Sequence, residues 1–232
     1  MPVQPVVPRS SNAGGRETRR LLLRTAERLF AQQGIDAVSL RQIAAAAKMR
    51  NTGAVAYHFG DKAGLIRAII DDRQAQIDKG VRRQLAELEQ QGRLDDLRAV
   101  CEAGIQPAVE EIPESGHYFR FLAQLDRHPQ AIPELQASDA FKSMMRILKL
   151  QDEAARRHLP AALVEHRRRF ATHLVFAALA DLEAANAGRE ANEVVMADLI
   201  GCVAALYSAP AWTPKPEAFQ PSVPATRSRR RK

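Results

Sequence analysis

Two stretches of the sequence decide the fold: residues 25–47, TAERLFAQQGIDAVSLRQIAAAA, and residues 53–70, GAVAYHFGDKAGLIRAII. In the first stretch, apolar residues recur at helical spacing until Gly34, a residue type that commonly ends helices. A second helix is predicted to begin at Ser39, because Ser39 and Gln42 have the spacing of a capping box. A bracing helix followed by two short helices and a tight turn is typical of a helix-turn-helix.

The residues that follow complete a predicted three-helix unit. Residues 48–50 form a polar break, and Asn51 is expected to cap a short third helix that ends near Gly60. A long helix is then predicted from about residue 61 to residue 88. The three-helix unit spans residues 16–60, and its third helix has the size to enter a DNA major groove, which is about 12 Å wide.

The rest of the chain is also predicted to be helical. Only 12 of the 232 residues of the whole chain are glycine, and no segment alternates in hydrophobicity like a strand. Prolines divide it into further helices, predicted at about 95–111, 117–127, 137–158, 161–187 and 192–207. We therefore expect an all-α fold: a flexible arm (1–15), the helix-turn-helix domain (16–60), a larger helical domain (61–210) and a disordered basic tail (211–232).

Positive charge is concentrated at the two ends of the chain. Residues 16–60 carry eight arginine or lysine residues against three acidic ones, and five of the last six residues are basic. Residues 61–226 have a net charge of −4. The N-terminal unit is therefore predicted to bind a polyanion. The C-terminal run is interpreted as a solvated tail, with auxiliary nonspecific DNA binding as the alternative.

Residues 19–70 resemble the DNA-binding domain of the tetracycline-repressor (TetR) family of transcriptional regulators. The two quoted stretches carry the resemblance: a helix, a glycine turn, a serine-capped helix, a recognition helix ending in Tyr-His-Phe, and a lysine that opens the next helix. The sequence departs from the family in two places. Lys48 stands where the turn usually has a glycine, and the segment from Ile43 to Phe59 is one residue longer than usual.

The resemblance implies DNA contacts for residues at the ends of these helices. Helix N-termini, hydroxyl groups and cations would bind phosphates, and the start of the recognition helix would face the bases. The implied DNA-binding residues are Ser39, Arg41, Arg50, Asn51, Thr52, Gly53, Tyr57, His58 and Lys62. Phe59 is interpreted as a core aromatic, and His58 outside this context would be an ordinary surface histidine.

A DNA-binding protein of this kind usually acts as a symmetric dimer on a palindromic operator. The last two predicted helices carry apolar stripes that suit a homodimer interface. The predicted interface residues are Leu174, Ala178, Leu182, Leu199, Val203 and Leu206. The alternative is that both stripes face the core of their own protomer.

In TetR-like proteins the middle helices enclose an effector pocket, and the apolar residues found there suit a small apolar organic effector. The predicted lining residues are Cys101, Ile105, His117, Tyr118, Phe121, Leu125, Phe141, Met144, Met145, Leu148 and His173. The alternative is a solid core, with the two histidines packed or at the surface. Cys101 and Cys202 are both interpreted as buried, reduced thiols.

Other classes of protein find little support in the sequence. It contains no GxSxG, HExxH, Walker-type or GxGxxG motif and no close His/Cys cluster, so we expect no enzyme, cofactor or metal. No apolar run reaches the ~18 residues of a membrane helix, and we expect a cytoplasmic protein without a membrane partner. A nonspecific architectural DNA-binding protein is the alternative to a regulator, and an enzyme ranks lower. The resemblance alone favours repression over activation.

Overall fold

The computed structural model describes residues 11–51, 53–112, 116–127, 139–185 and 189–212. All regular structure within these residues is helical, which confirms the predicted all-α fold. The helices are α1 (Ser11–Gln33), α2 (Leu40–Ala46), α3 (Ala54–Phe59), α4 (Lys62–Gln90), α5 (Leu97–Glu110), α6 (Tyr118–Leu125), α7 (Lys142–Arg156), α8 (Ala161–Ala185) and α9 (Arg189–Ser208). A 3₁₀ turn, Asp139–Phe141, leads into α7.

The helix positions agree with the sequence pattern except at the N-terminus of the chain and at the start of α3. Helix α1 begins at Ser11, so residues 11–15 are helical and do not belong to a flexible arm. Residues 1–10 of the predicted arm and residues 213–232 of the predicted tail lie outside the described residues. None of the helices that the structure describes is both long and apolar enough to cross a membrane.

Helices α1, α2 and α3 form the N-terminal three-helix unit, and α1 also packs against α4. Phe30 of α1, Ile43 of α2 and Val55 of α3 are completely buried. Burial of each such side chain stabilises the fold by about 1.5–3 kcal/mol. The same apolar core continues without interruption into the larger helical domain. The N-terminal three-helix unit (α1 to α3, called the reading unit below) and the larger helical domain (α4 to α9, called the body) are therefore packed together through a shared core.

The starts of α2 and α4 are fixed by side-chain caps. The predicted capping box is present: the Ser39 amide donates to Gln42 Oε1 (2.7 Å), and the Gln42 amide donates to Ser39 Oγ (3.3 Å). At the start of α4, Asp61 Oδ1 accepts from the Gly64 amide (2.7 Å). Gly64 also lies against the end of α3, since a Cβ added there would be 2.1 Å from the Phe59 carbonyl oxygen.

Helix α6 is the central element of the body, because it packs on α1 on one side and on α8 on the other. Tyr118, Phe119 and Phe121 of α6 are fully buried, and the Phe121 ring lies 6.0 Å from the Phe30 ring of α1. The Tyr118 hydroxyl donates to Gln74 Oε1 of α4 (3.1 Å). Both aromatic packing and a buried hydrogen bond thus connect α6 with the reading unit and α4.

Two buried carboxylates from other helices hold the amino end of α6. Glu27 of α1 accepts from the His117 amide (3.1 Å), and Glu183 of α8 accepts from the Phe119 and Arg120 amides (both 3.0 Å). Arg73 of α4 donates to Glu27 through Nε (2.9 Å) and Nη2 (3.2 Å). Consequently α1, α4, α6 and α8 meet in one polar cluster.

Helices α4 and α5 approach each other closely where Gly80 lies against Pro107. A Cβ added to Gly80 would lie 2.6 Å from Pro107 Cβ, closer than real side chains come. Pro107 is inside α5 and buried. The glycine therefore sets the distance between these two helices.

Substitution of Gly64 by alanine is predicted to displace α3 from α4. Because the added methyl would meet the Phe59 backbone carbonyl, the strain cannot be relieved by a side-chain rotation, and a loss of about 3 kcal/mol in unfolding free energy is expected. The measurement is urea denaturation. Gly15→Ala is the matched control, since a Cβ at Gly15 meets nothing within 4 Å; it should be neutral or slightly stabilising. Equal stabilities of the two variants would contradict the close approach.

Candidate nucleic-acid interface

The turn between α2 and α3 is a Schellman motif centred on a lysine. The Met49 amide donates to the Ala44 carbonyl (2.9 Å), and the Lys48 amide donates to the Ala45 carbonyl (3.0 Å). Lys48 has φ 56°, the left-handed conformation that favours glycine. The structure thus explains why a glycine is usual at this place, and the lysine here tolerates a backbone strain of about 1–2 kcal/mol.

The start of the recognition helix α3 differs from the sequence prediction. Asn51 was expected as its N-cap, but the N-cap residue is Gly53, which has no side chain that could form a capping hydrogen bond. Asn51 contributes from two residues earlier: its Oδ1 accepts from the Gly53 amide (2.8 Å), and its carbonyl accepts from the Ala54 amide (3.1 Å). Arg50, Asn51 and Gly53 are all exposed at this end, and Thr52 lies outside the described residues.

The two faces of α3 have different roles. Val55 is completely buried against the three-helix core, and Phe59 one turn later is half-buried beneath the guanidinium of Arg19, 5.3 Å from the ring centroid. Tyr57 points the other way and is 86% exposed. Its ring contacts that of the half-buried His58 edge-on (5.2 Å between centroids). An exposed tyrosine hydroxyl at the end of this helix is available for a phosphate oxygen.

Three further predicted DNA-binding residues lie on the neighbouring helix starts. Ser39 and Arg41 are exposed at the start of α2. Lys62, at the start of α4, is half-buried, and its Nζ donates to the Ile35 carbonyl (2.9 Å). That hydrogen bond gives Lys62 a structural role between α4 and the α1–α2 loop. Its contact with DNA phosphate stays a prediction.

The residues predicted to line an effector pocket are divided between core and surface. Cys101, Ile105, Tyr118, Phe121 and Leu125 are buried in the core, whereas Met145 and His173 are exposed. Phe141, Met144 and Leu148 are half-buried along the start of α7, and the His173 ring contacts the Asp126 carboxylate. His117 lies apart from these apolar residues, beside Glu27, and its pKa is lowered by burial and by nearby arginines.

The two cysteines have different environments, so the prediction of two buried thiols is wrong for one of them. Cys101 is buried, and burial raises the pKa of its thiol to about 11. Cys202 is exposed on α9. Within the described residues no group of three or more His, Cys, Asp or Glu side chains could hold a metal ion.

The predicted dimer stripes need correction. Leu182, Leu199 and Val203 are buried in the core of their own protomer, and Ala178 and Leu206 are half-buried. Of the six predicted residues, Leu174 is the exposed one, at 37%. The sequence analysis missed Phe170 (57% exposed) and Val194 (73%), which present apolar surface on α8 and α9. The spacing of Phe170 and Leu174, one helical turn apart, was the signal available.

Comparisons with known proteins agree with this geometry. A family model described as bacterial regulatory proteins, tetR family, matches residues 22–69. A tetR family transcription regulator from Shewanella sp. PV-4 has a similar structure (TM-score 0.55, 18% identity, 82% of this chain and 95% of that chain). So does the fatty acid degradation regulator FadR from Bacillus halodurans (TM-score 0.52, 12% identity, 82% and 98%). A TetR-family regulator from Rhodococcus sp. is also similar in structure (TM-score 0.51, 19% identity, 83% of this chain and 100% of that chain). A comparison with curated protein sequences gave no significant match.

An exposed recognition helix on a capped, three-helix unit defines a DNA-binding protein of the helix-turn-helix class. Residues 22–69 match the model of the bacterial tetR family of regulatory proteins, so this segment carries a DNA-binding domain of the tetR type. The solved TetR-family regulators share the fold of the chain as a whole.

Replacement of Lys48 by glycine should stabilise the turn. Lys48→Gly and Lys48→Ala remove the same charge, but only glycine relieves the left-handed backbone strain. We expect the glycine variant to be about 1 kcal/mol more stable than the alanine variant in thermal or urea unfolding. A more stable alanine variant would show that residue 48 does not adopt this conformation in solution.

Proposed function

We propose that the protein is a cytoplasmic repressor that binds a palindromic operator as a homodimer and is released from it by a small molecule. The observation that carries the DNA-binding part is the outward face of α3, where Tyr57 and the residues at the start of the helix are exposed while Val55 anchors it. Ser39, Arg41, Arg50, Asn51, Thr52, Gly53, Tyr57, His58 and Lys62 are the proposed DNA contacts. Repression is inferred from the family.

The proposed assignment of roles follows from chemistry. Ser39, Arg41, Tyr57 and Lys62 carry hydroxyl groups or cations that bind phosphate without reading sequence. Arg50 and Asn51 carry groups that can form bidentate hydrogen bonds with bases in the major groove. Gly53 supports base contacts indirectly, because a residue without a side chain allows the backbone to approach the groove closely.

The proposed homodimer uses the exposed apolar surface of α8 and α9. Phe170 and Leu174 lie one turn apart on α8, and Val194 and Val195 are exposed near the start of α9. In a symmetric dimer, a second copy would cover these large apolar side chains on the two C-terminal helices. This surface replaces the buried residues Leu182, Leu199 and Val203 in the proposed interface.

The proposed effector is a small, mainly apolar molecule that binds among α5, α6 and α7. Phe141, Met144 and Leu148 are half-buried and would form its entrance, while the deeper side chains Cys101 and Phe121 would have to shift. Polar groups border this region. The buried Tyr207 hydroxyl lacks a hydrogen-bond partner within the described residues, and Gln151 Nε2 lies 3.4 Å from Cys101 Sγ. An effector with one polar group would satisfy the tyrosine.

Selection of bound sequences from a random DNA pool tests the function directly. A regulator should enrich a short palindrome with two half-sites one helical turn or a multiple of it apart. Uniform, salt-sensitive binding without an enriched sequence would instead identify a nonspecific architectural protein.

Tyr57→Phe should weaken binding to the selected operator and to random DNA by similar factors of about tenfold, because one hydrogen bond to a charged phosphate is lost. The measurement is fluorescence anisotropy at fixed salt concentration. The unfolding temperature serves as the control and should not change, since Tyr57 is exposed. A change in base preference at one position, with random DNA unaffected, would make Tyr57 a base-reading residue.

Leu174→Asp should convert the dimer into a monomer, because the new carboxylate would be buried unpaired at a cost of several kcal/mol. Sedimentation velocity measures the change, and operator affinity should fall with it. Leu21→Asp is the matched control, since Leu21 is a similarly exposed leucine on α1. An unchanged dimer in the Leu174 variant would place the interface elsewhere.

A further inference from the structure

A cavity of about 340 Å³, lined mainly by charged residues, lies where the reading unit meets the body. Its walls come from α1, from α4 and from the residues that precede α6. The lining residues are Arg24, Thr25, Glu27, Arg28, Arg73, Gly116 and His117. The cavity is thus separate from the apolar region between α5, α6 and α7, and it directly adjoins the Glu27–Arg73 ion pair.

The described residues that line the cavity carry an excess of positive charge. Among them, three guanidinium groups face the carboxylate of Glu27. That carboxylate is already engaged, because it accepts two hydrogen bonds from Arg73 and one from the His117 amide. Its remaining capacity to neutralise Arg24 and Arg28 is therefore small. The pKa of His117 is lowered first by burial and then by Arg120, and Arg28 and Arg73 of the cavity add smaller effects in the same direction.

Arg24 and Arg28 lie one helical turn apart on α1, a spacing at which like charges repel. Arg28 donates to the exposed Gln32 side chain at 3.4 Å, and neither arginine forms an ion pair within the described part of the chain. Arginine binds carboxylate and phosphate groups with two parallel hydrogen bonds. A doubly charged anion between these arginines would remove their repulsion and satisfy their donors.

We propose that this cavity binds a small dianion, a phosphate or dicarboxylate compound, through Arg24, Arg28 and the edge of Arg73. The volume is at the lower end of the range for small-molecule sites, so the ligand is of metabolite size. Its negative charge competes with Glu27 for Arg73. Since Glu27 belongs to α1 and Arg73 to α4, binding loosens the connection between the reading unit and the body. This second regulatory input rests on the proposed DNA-binding function, whereas the anion site itself does not.

Calorimetric titration of the full chain with inorganic phosphate and with succinate, at constant ionic strength and without DNA, tests the site. We expect saturable binding that weakens at least about tenfold in Arg24→Gln/Arg28→Gln, because charged hydrogen bonds are lost. Arg82→Gln/Arg157→Gln loses the same charge at exposed positions outside the cavity and should bind as the unmodified protein does. The tighter of the two anions identifies the chemical class. No saturable binding, or an equal loss in both double variants, would overturn the proposal.

Competition with Glu27 has its own test. Glu27→Gln keeps an acceptor for Arg73 but removes the opposing charge, so anion affinity should rise severalfold; a fall in a variant shown to be folded would overturn the competition. Circular dichroism establishes folding, and if the variant does not fold, the arginine double variant still decides the site.

At constant ionic strength the dianion should also lower DNA affinity in the unmodified protein and not in the Arg24/Arg28 variant. Failure to bind any DNA would refute the proposed function alone, since the calorimetry uses no DNA.

Discussion

The amino end of α6, held between the carboxylates of Glu27 and Glu183, is the interaction on which the arrangement of the other helices depends. The first amides of a helix have no partner within the helix, and the helix dipole makes this end positive. Glu27 and Glu183 supply acceptors and negative charge from α1 and α8, so they satisfy both requirements at once. Loss of either would leave buried amides unpaired, at about 1–3 kcal/mol each. The contact between the reading unit and the body is therefore fixed by oriented hydrogen bonds as well as by apolar packing.

Within the reading unit, local chemistry determines which side of α3 faces outward. Val55 and Phe59 are four residues apart and therefore share a face, which packs inward against α1 and α2. Tyr57, two residues from each, must then project away from the core. The turn before α3 preserves this orientation even though Lys48 occupies a glycine position, since the hydrogen bonds of the Schellman motif are complete. Position 48 therefore accepts a lysine in place of glycine while the backbone keeps the left-handed conformation of the turn.

The features that the sequence predicted correctly depend on nearby residues. The capping box at Ser39 and the order of the helices follow from spacings of a few positions. By contrast, Glu27 and Arg73 are 46 residues apart, and no local pattern marks them as partners. Apolar periodicity in α9 correctly showed an apolar face near Val203 but not whether a second copy or the protomer's own core covers it. Residues 11–15 contain two glycines and no apolar stripe, so their helical state had no signal in the sequence.

The close contact between Gly80 and Pro107 fixes α4 against α5 at one point along its length. Lys62, at the start of α4, lies eighteen residues from Gly80, which corresponds to about 27 Å of helix. A rotation of α4 by about 5° about this contact would therefore move its start by about 2 Å, given the 1.5 Å rise per residue. Hydrogen bonds fail at displacements well below this distance. The length of α4 would thus convert a small rotation within the body into a displacement of the reading unit that is large on the scale of its polar contacts.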